Sequence, residues 1–442
     1  MLARVCLTIA VLVALSAWSR SGKAQEAGAS AANDTQMVVS PVVSGMAYPN
    51  EVGAETRSNY LSGGLSFSAG YLDNLYGGSG TTPMNDTTYL IQPTISLDQT
   101  TARVHENLNY TPAFTFYQPT SGLDEFDQSA ALEFQFRLSP HVSLRAADKF
   151  NRSSNAFNQP FSQQSVSGSL PPTTPGIVVP FAERLTNDVE TQVSWQFARS
   201  GMIGSGATES EMHYPNASQS PGLYDSNSYG ASAFYNDRLS EKQYLGVTYL
   251  YSRSTQEALG VENEVQVDSV LVFYTVYLTP TFTFSVTSGP QYYEISESPL
   301  PVSSSVTPAA SASVAWQTLH TNLAGSFNRT VSAGSGLVGA FQSESVAINA
   351  GWQLARTWTV GFGGNYSSNK TVASSLTPST PGGHTLTATA SLEHPLGEHF
   401  NLAVTYARMH QSYPGVAAIS GDPDTDRALV SVLYRFSRPL GR

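Results

Sequence analysis

The stretch of sequence that decides the fold is LSGGLSFSAGY, from Leu61 to Tyr71. Leu65, Phe67 and Tyr71 share one face with small residues, whereas the alternate positions carry only Ser and Gly. A repeat of two residues is that of a β-strand with one apolar face and one hydrated face. The stretch therefore predicts a strand in a wall that separates two different environments.

The same alternation recurs along the chain as far as Ala428 to Phe436. Within residues 60–436 we predict about eighteen strands, an even number that is typical of bacterial single-chain barrels. The seventh, near residues 204–214, is the weakest because Glu209 and Glu211 interrupt its apolar face, so sixteen strands is the alternative. The predicted fold class is all-β, a single antiparallel transmembrane β-barrel.

The N-terminal residues have the pattern of an export signal. Arg4 precedes an apolar run from Val5 to Trp18, and small and polar residues follow. This pattern is typical of a signal peptide rather than of a spanning helix, so we predict that residues 1–24 are a cleaved leader. No later segment stays apolar for the length that a membrane-spanning helix needs, so only strands could cross a membrane.

The remaining segments complete the predicted domain organisation. Residues 25–59 show no period and are expected to form a flexible periplasmic lead-in. Residues 60–436 form the barrel, and residues 437–442 form a short C-terminal tail.

Composition excludes several classes of function. The chain has 442 residues, of which 40% are hydrophobic and only 12% charged, with a formal net charge of −11. Such acidity excludes nucleic acid as a partner. Cys6, the single cysteine, lies in the predicted leader, so the mature chain would have no disulfide and no thiolate metal site.

The connections between the predicted strands alternate between short and long. Short turns belong on the periplasmic side of such barrels and long loops outside the cell, so both termini are predicted to be periplasmic. Four tryptophans lie within a few residues of a predicted short turn, where amphipathic rings form an interfacial girdle. They are Trp195, Trp316, Trp352 and Trp358.

The closing strand, VSVLYRF from Val430 to Phe436, and the architecture of residues 60–436 resemble bacterial outer-membrane β-barrel proteins of the porin type. The aromatic end of this strand is similar to the last strand that the family's assembly machinery recognises. The resemblance implies the outer membrane of a Gram-negative bacterium and contact with its lipid and lipopolysaccharide. It leaves open whether the protein is a homo-oligomer.

Strand phase predicts which side chains line the lumen. If Val104 and Leu108 face lipid, the alternate positions face inward, and the same argument extends over the next three strands. Three arginines of this set are expected at similar heights near the periplasmic end, where they either hold anionic solutes or simply pair with Glu133 and loop carboxylates. The predicted pore-lining residues are Arg103, His105, Glu133, Arg137, Arg145, Lys149, Glu190 and Gln192.

The longest predicted loop, about residues 151–187, contains a short apolar run from Ile177 to Phe181. We predict that this third outer loop folds inward as a constriction. Ile177 and Phe181 would then pack against the barrel interior, with Glu183 facing the arginines. The alternative is a disordered surface loop.

The function predicted from these features is passive diffusion of small hydrophilic solutes, because side chains do not fill a barrel of this strand number. A barrel for exopolysaccharide secretion or assembly is the first alternative, and an outer-membrane hydrolase is the second. The sequence contains neither G-x-S-x-G nor H-E-x-x-H, and its histidines are scattered. No enzyme activity, catalytic residue, metal or cofactor is therefore predicted.

Overall fold

The structure is a computed structural model. It describes residues 59–74, 85–118, 120–154, 182–216, 218, 220–258, 260–279, 281–297, 301–333, 336–355, 357–373, 382–413 and 424–439. The predicted signal peptide, all of the lead-in except Asn59, and the Ile177–Phe181 run lie outside these residues, as do the last three residues of the chain.

The described residues form eighteen strands and one turn of 3₁₀ helix, Ser121–Leu123. In chain order the strands are β1 (Asn59–Leu72), β2 (Asp86–Thr100), β3 (Val104–Gln118), β4 (Glu125–Ser139), β5 (Val142–Ser153), β6 (Arg184–Gln196), β7 (Gly201–His213), β8 (Ser226–Ser240), β9 (Gln243–Ala258), β10 (Val261–Thr279), β11 (Phe282–Glu297), β12 (Ser303–Gln317), β13 (Thr321–Ala333), β14 (Ala340–Gln353), β15 (Thr359–Ala373), β16 (Gly383–Pro395), β17 (Phe400–Ser412) and β18 (Asp424–Pro439). The predicted count of eighteen is confirmed, and the weak seventh strand is present.

Each strand pairs antiparallel with the next, and β1 also pairs with β18, so the sheet closes on itself. The closing register sets Tyr60 opposite Pro439 and Leu72 opposite Arg427. Closure gives each of the eighteen strands a neighbour on both sides, which is the condition for a sheet in a bilayer. Strand β18 extends to Pro439, so the barrel includes the first residues of the segment predicted to be a tail.

The two faces of the wall have opposite character. Leu65, Val193 and Val432 are 49%, 41% and 40% exposed on the outer face, whereas Ser68 and Gln192 on the inner face are buried. A continuous apolar outer surface is unstable in water and stable in lipid. No helix among the described residues is long and apolar enough to span a bilayer.

Aromatic residues mark both borders of this apolar belt. All four tryptophans near the short turns are exposed on the outer face. Toward the other end, Tyr249 and Tyr406 donate hydrogen bonds of 2.6 Å to the carboxylates of Asp268 and Asp426. The ten residue-to-residue steps from Asp426 to Phe436 span about 33 Å of strand, or about 25 Å along the axis at a tilt of ~40°. This height matches the apolar layer of an outer membrane.

The two ends of the barrel differ in their connections. At one end, the short-turn end, every connection has a few residues, such as the one between Ser139 and Val142. At the other, the long-loop end, the β5–β6 connection is the longest. The β9–β10 connection differs from prediction, because both strands continue until only two residues separate Ala258 from Val261.

The lumen as candidate functional site

The inward face of the barrel is charged on one side and neutral on the other. Strands β7 to β17 direct Ser, Thr, Asn, Gln and small, aromatic or apolar residues inward, with charged side chains only near strand ends, at Arg238, Glu297 and Glu393. Strands β2 to β6 carry the other inward charges, together with two arginines of β18, Arg427 and Arg435. The charges between β2 and β6 include Asp98, His105, Asp127, Glu133, Arg137, Arg145, Lys149, Arg184, Asp188 and Glu190.

Oppositely charged groups are paired along this charged wall. Arg145 Nε lies 2.9 Å from Glu133 Oε1, and Nε2 of His105 lies 3.5 Å from a carboxylate oxygen of Asp98. Lys149 stands directly opposite Asp188 in the β5–β6 register. Of the two alternatives given for the arginines, Arg145 therefore follows the second, in which it pairs with Glu133. Positive and negative charges are mixed along the wall, which has no strong excess of either sign.

The structure places Arg103 in a turn rather than in a strand. A backbone hydrogen bond of 2.7 Å from Thr101 N to Val104 O closes a tight turn, so β3 begins only at Val104 and Arg103 is an exposed turn residue. Its carbonyl accepts a 2.7 Å hydrogen bond from the backbone of Arg137. Arg103 and Arg137 are thus neighbours at the short-turn rim, and Arg145 lies higher on the wall.

The remaining predicted lumen residues lie on the inward face of β5 and β6. Gln192 stands directly opposite Arg145 and is 7% exposed, and Glu190 stands opposite Ala147. Lys149 is exposed to the lumen.

The prediction for Glu183 requires correction. Glu183 forms an ion pair with Nε of Arg152. Arg152 lies on the outer face of β5 together with Leu144 and Phe150. Glu183 comes just before β6, at a position that continues the series of outward-facing residues of that strand. Glu183 therefore does not face the predicted arginines across the lumen.

A different element enters the lumen, namely the end of the β13–β14 hairpin. Pairing of β12 with β13 ends at Ala310 and Arg329, and β13 continues without this neighbour. Beyond that point Gln291, an inward residue of β11, binds its backbone: Val331 N donates to Oε1 at 2.7 Å, and Nε2 donates to Val331 O at 3.1 Å. The amide side chain thus replaces the missing strand and holds the hairpin end over the inner face of β11.

An apolar pad on the barrel wall receives this hairpin end. Val331 and Ala340, both at most 2% exposed, pack in one cluster with four inward side chains of β10 and β11. Apolar side chains in a water-filled lumen are stabilised when another apolar surface covers them. The pad consists of Val265, Val267, Tyr293 and Ile295.

The tip of the hairpin reaches other parts of the circumference. Gly336 O accepts a 2.9 Å hydrogen bond from Tyr224 N in the β7–β8 connection. Leu337 and Phe341 pack in a buried cluster with Tyr214 of the same connection and with Tyr413, which follows β17. Because β7, β14 and β17 are far apart in the barrel, this cluster spans part of the lumen at the long-loop end.

Two tyrosines that follow strand ends anchor this cross-lumen cluster. The Tyr413 hydroxyl accepts hydrogen bonds from Asn369 Nδ2 at 2.9 Å and Thr385 Oγ1 at 3.3 Å, and its ring is buried. Burial raises the pKa of Tyr413 above its ordinary value. Burial likewise raises the pKa of Tyr214, against the opposing effect of the Arg184 guanidinium.

The alternation of polar and apolar residues does not predict the inward position of the β13–β14 hairpin, but the sequence contains another signal for it. Val265, Val267, Tyr293 and Ile295 are apolar on a face that is polar in most other strands. Four such residues on two neighbouring strands indicate an element that covers them from inside.

A closed barrel of eighteen strands with an apolar outer belt, two aromatic borders and a polar inner face has the architecture of a transmembrane β-barrel. No family model matches the sequence, and no curated protein is similar to it.

Comparison with solved structures finds similar barrels. Pseudomonas aeruginosa OccK2 (OpdF) is 11% identical with a TM-score of 0.43, and the match covers 86% of this chain and 98% of that one. The outer membrane protein opdK from Pseudomonas aeruginosa is 10% identical with a TM-score of 0.40, covering 86% and 99%. The siderophore receptor PirA from Pseudomonas aeruginosa is 10% identical with a TM-score of 0.40, covering 86% and 81%.

Proposed function

We propose that the protein is an outer-membrane channel for passive diffusion of small hydrophilic solutes. The observation that carries this proposal is a polar inner face on a barrel of eighteen strands. Side chains alone do not fill a barrel of this size, so water occupies the interior. Solutes that exchange hydrogen bonds with Ser, Thr, Asn and Gln would cross it with little loss of solvation.

The β13–β14 hairpin is our candidate for the element that sets the size limit. Its end lies over the inner face of β11, and its tip contacts residues that follow β7 and β17. The proposed constriction thus comes from the seventh long-loop connection, and the predicted role of Ile177 and Phe181 in the third remains a prediction.

The charged wall is expected to give weak ion selectivity. The pairing of Arg145 with Glu133 and the position of Lys149 opposite Asp188 cancel much of the local field, so neither sign of ion is strongly favoured. Of the two alternatives for the arginines, pairing with carboxylates therefore supports this proposal better than a site for anionic solutes.

We also propose the orientation and partners of the barrel. The long-loop end faces the cell exterior, where ion pairs on the outer face, such as Arg253 with Glu264 at 2.7 Å and Arg408 with Asp424 at 3.2 Å, would meet lipopolysaccharide. The exposed aromatic rings of Tyr434 and Phe436 in β18 would be recognised by the barrel-assembly machinery. In this proposal the chain acts as a channel and not as an enzyme.

Single-channel conductance of the purified, refolded protein in a planar bilayer tests the proposed function. Discrete and stable current steps at neutral pH are expected. Correctly folded barrel, judged by its β-sheet circular dichroism, that inserts without any conductance would exclude an open channel. A parallel refolding with Leu65→Lys, which places a charge on the lipid face, controls for insertion and should abolish the steps.

A further inference from the structure

A cavity of about 310 Å³ lies in the lumen wall, on the side that β1 and its neighbours form. It is lined by side chains from β2 to β5 and from β16 to β18. The hairpin end packs on β10 and β11 instead, so the cavity adjoins the other side of the lumen. Its volume is at the lower end of the range for small-molecule sites.

Small residues in β1 create the recess. Ser66 stands opposite Gln92 in β2, and Gly70 stands opposite Leu429 in β18. A Cβ on Gly70 would lie 2.2 Å from the carbonyl oxygen of Ala428, so this position is restricted to glycine. The wall therefore recedes between Gln92 and Leu429, which both line the cavity.

The lining provides hydrogen-bond donors and acceptors in a mixed order. Gln92, Thr111 and Thr389 each offer both functions. Asn151 is 7% exposed, and its Nδ2 has no hydrogen-bond partner among the described residues. An amide donor that is buried and unpartnered is costly unless water or a solute accepts its hydrogen bond.

The charge of the cavity is compensated. Asp127 accepts hydrogen bonds from the backbone and hydroxyl of Ser154, at 2.9 and 3.2 Å. Its carboxylate and that of Glu125 lie close enough to act electrostatically on the Arg427 guanidinium. A solute carboxylate would meet Asp127, and a solute ammonium group would meet Arg427, so neither charge is favoured.

We propose that this cavity is a binding subsite for neutral polyhydroxylated solutes, that is, sugars or polyols. Hydroxyl groups both donate and accept, and this matches the donors and acceptors that Asn151, Gln92 and the threonines present to the cavity. The subsite would retain such solutes briefly beside the diffusion path. This inference rests on the proposed channel function and specifies its substrate class.

Single-channel recording with defined probes tests the subsite. Sucrose and the anion gluconate are added in turn at equal concentrations, and the mean current and its noise are followed. Sucrose is expected to cause a saturable reduction of current, and gluconate a weaker one. Each lost hydrogen bond in Asn151→Leu and in the nearly isosteric Thr389→Val should weaken the apparent sucrose affinity by about fivefold.

Thr191→Val is the matched control, since Thr191 faces outward on β6. It should leave the sucrose affinity unchanged. A conducting channel that sucrose does not block saturably, an affinity equal in wild type and both cavity variants, or a stronger block by gluconate would each overturn the subsite. Absence of conductance in every variant would instead overturn the proposed channel function.

Discussion

At the scale of single residues, Gly336 shows how one position controls the cross-lumen contact. Its φ of +81° lies in the left-handed region that favours glycine. A Cβ there would lie 2.7 Å from the Tyr214 hydroxyl oxygen, and the Gly336 carbonyl bonds Tyr224. The backbone conformation and the close approach therefore both require a residue without a side chain.

Gly336→Ala should loosen the hairpin tip. The backbone strain is about 1–2 kcal/mol, and the contact with Tyr214 adds to it. Gly260→Ala is the matched control, because Gly260 has a similar φ of +76° but no atom within 4 Å of an added Cβ. Single-channel recording should show larger or noisier conductance for Gly336→Ala only. Equal traces for the two variants would mean that the Tyr214 contact does not hold the tip.

At the scale of secondary-structure elements, the inward bend of the β13–β14 hairpin depends on an amide that imitates a strand. Gln291 binds both backbone groups of Val331 where β12 no longer pairs with β13. Buried backbone groups need such partners, so the amide allows the hairpin to leave the wall without losing hydrogen bonds.

Gln291→Leu should therefore destabilise the inward position of the hairpin. The variant leaves the Val331 N–H and carbonyl without these partners, at a cost of about 1–3 kcal/mol. We expect a larger mean conductance and faster hydrogen exchange of the Val331 amide, measured by NMR in detergent micelles. Gln266→Leu, on the outer face of β10, is the control. Unchanged exchange in Gln291→Leu would contradict the role of the amide.

The elements also show what the sequence alone predicts. Strand number and the orientation of residues such as Leu65 follow from local alternation, because lipid and water select opposite residue types at successive positions. The end of β13 leaves the wall because Gln291 binds Val331. These two residues are distant in sequence, so no local alternation of residues predicts their contact. The tight turn from Thr101 to Val104 likewise places Arg103 outside β3, which the alternation of the neighbouring residues does not predict.

At the scale of the whole molecule, the cluster around Tyr413 and Tyr214 joins distant parts of the barrel at the long-loop end. The pKa of each phenol is raised by burial, so the neutral form is favoured in the folded state. The contribution of each to stability is fully present below the ordinary tyrosine pKa of about 10 and is lost as pH rises through the raised value. The cluster is thus stable at neutral pH.

Alkaline pH should then release the cross-lumen contact. Conductance is expected to change little between about pH 6 and 9 and to increase above about pH 10. The double variant Tyr214→Phe/Tyr413→Phe removes both phenolic hydroxyl groups and should suppress most of this increase in conductance. Its conductance at neutral pH should be higher than that of the wild type, because the hydrogen bond from Asn369 to Tyr413 is lost. A pH profile identical in wild type and double variant would assign the transition to other groups.

The orientation of the whole wall is tested by cysteine labelling, since Cys6 is the only cysteine of the chain and lies in the predicted leader. Single cysteines at Ser66 and Thr389 face the lumen, and those at Leu65 and Val193 face lipid. In liposomes, a hydrophilic maleimide should label the lumen pair at least about tenfold faster, because thiolate forms readily only in contact with water. The same maleimide reaction on the unfolded protein, without detergent, is the control for the intrinsic reactivity of each thiol. Its labelling rate should be equal at all four sites. Equal rates in the folded barrel would contradict the assignment of a wet inner and a dry outer face, on which the channel function depends.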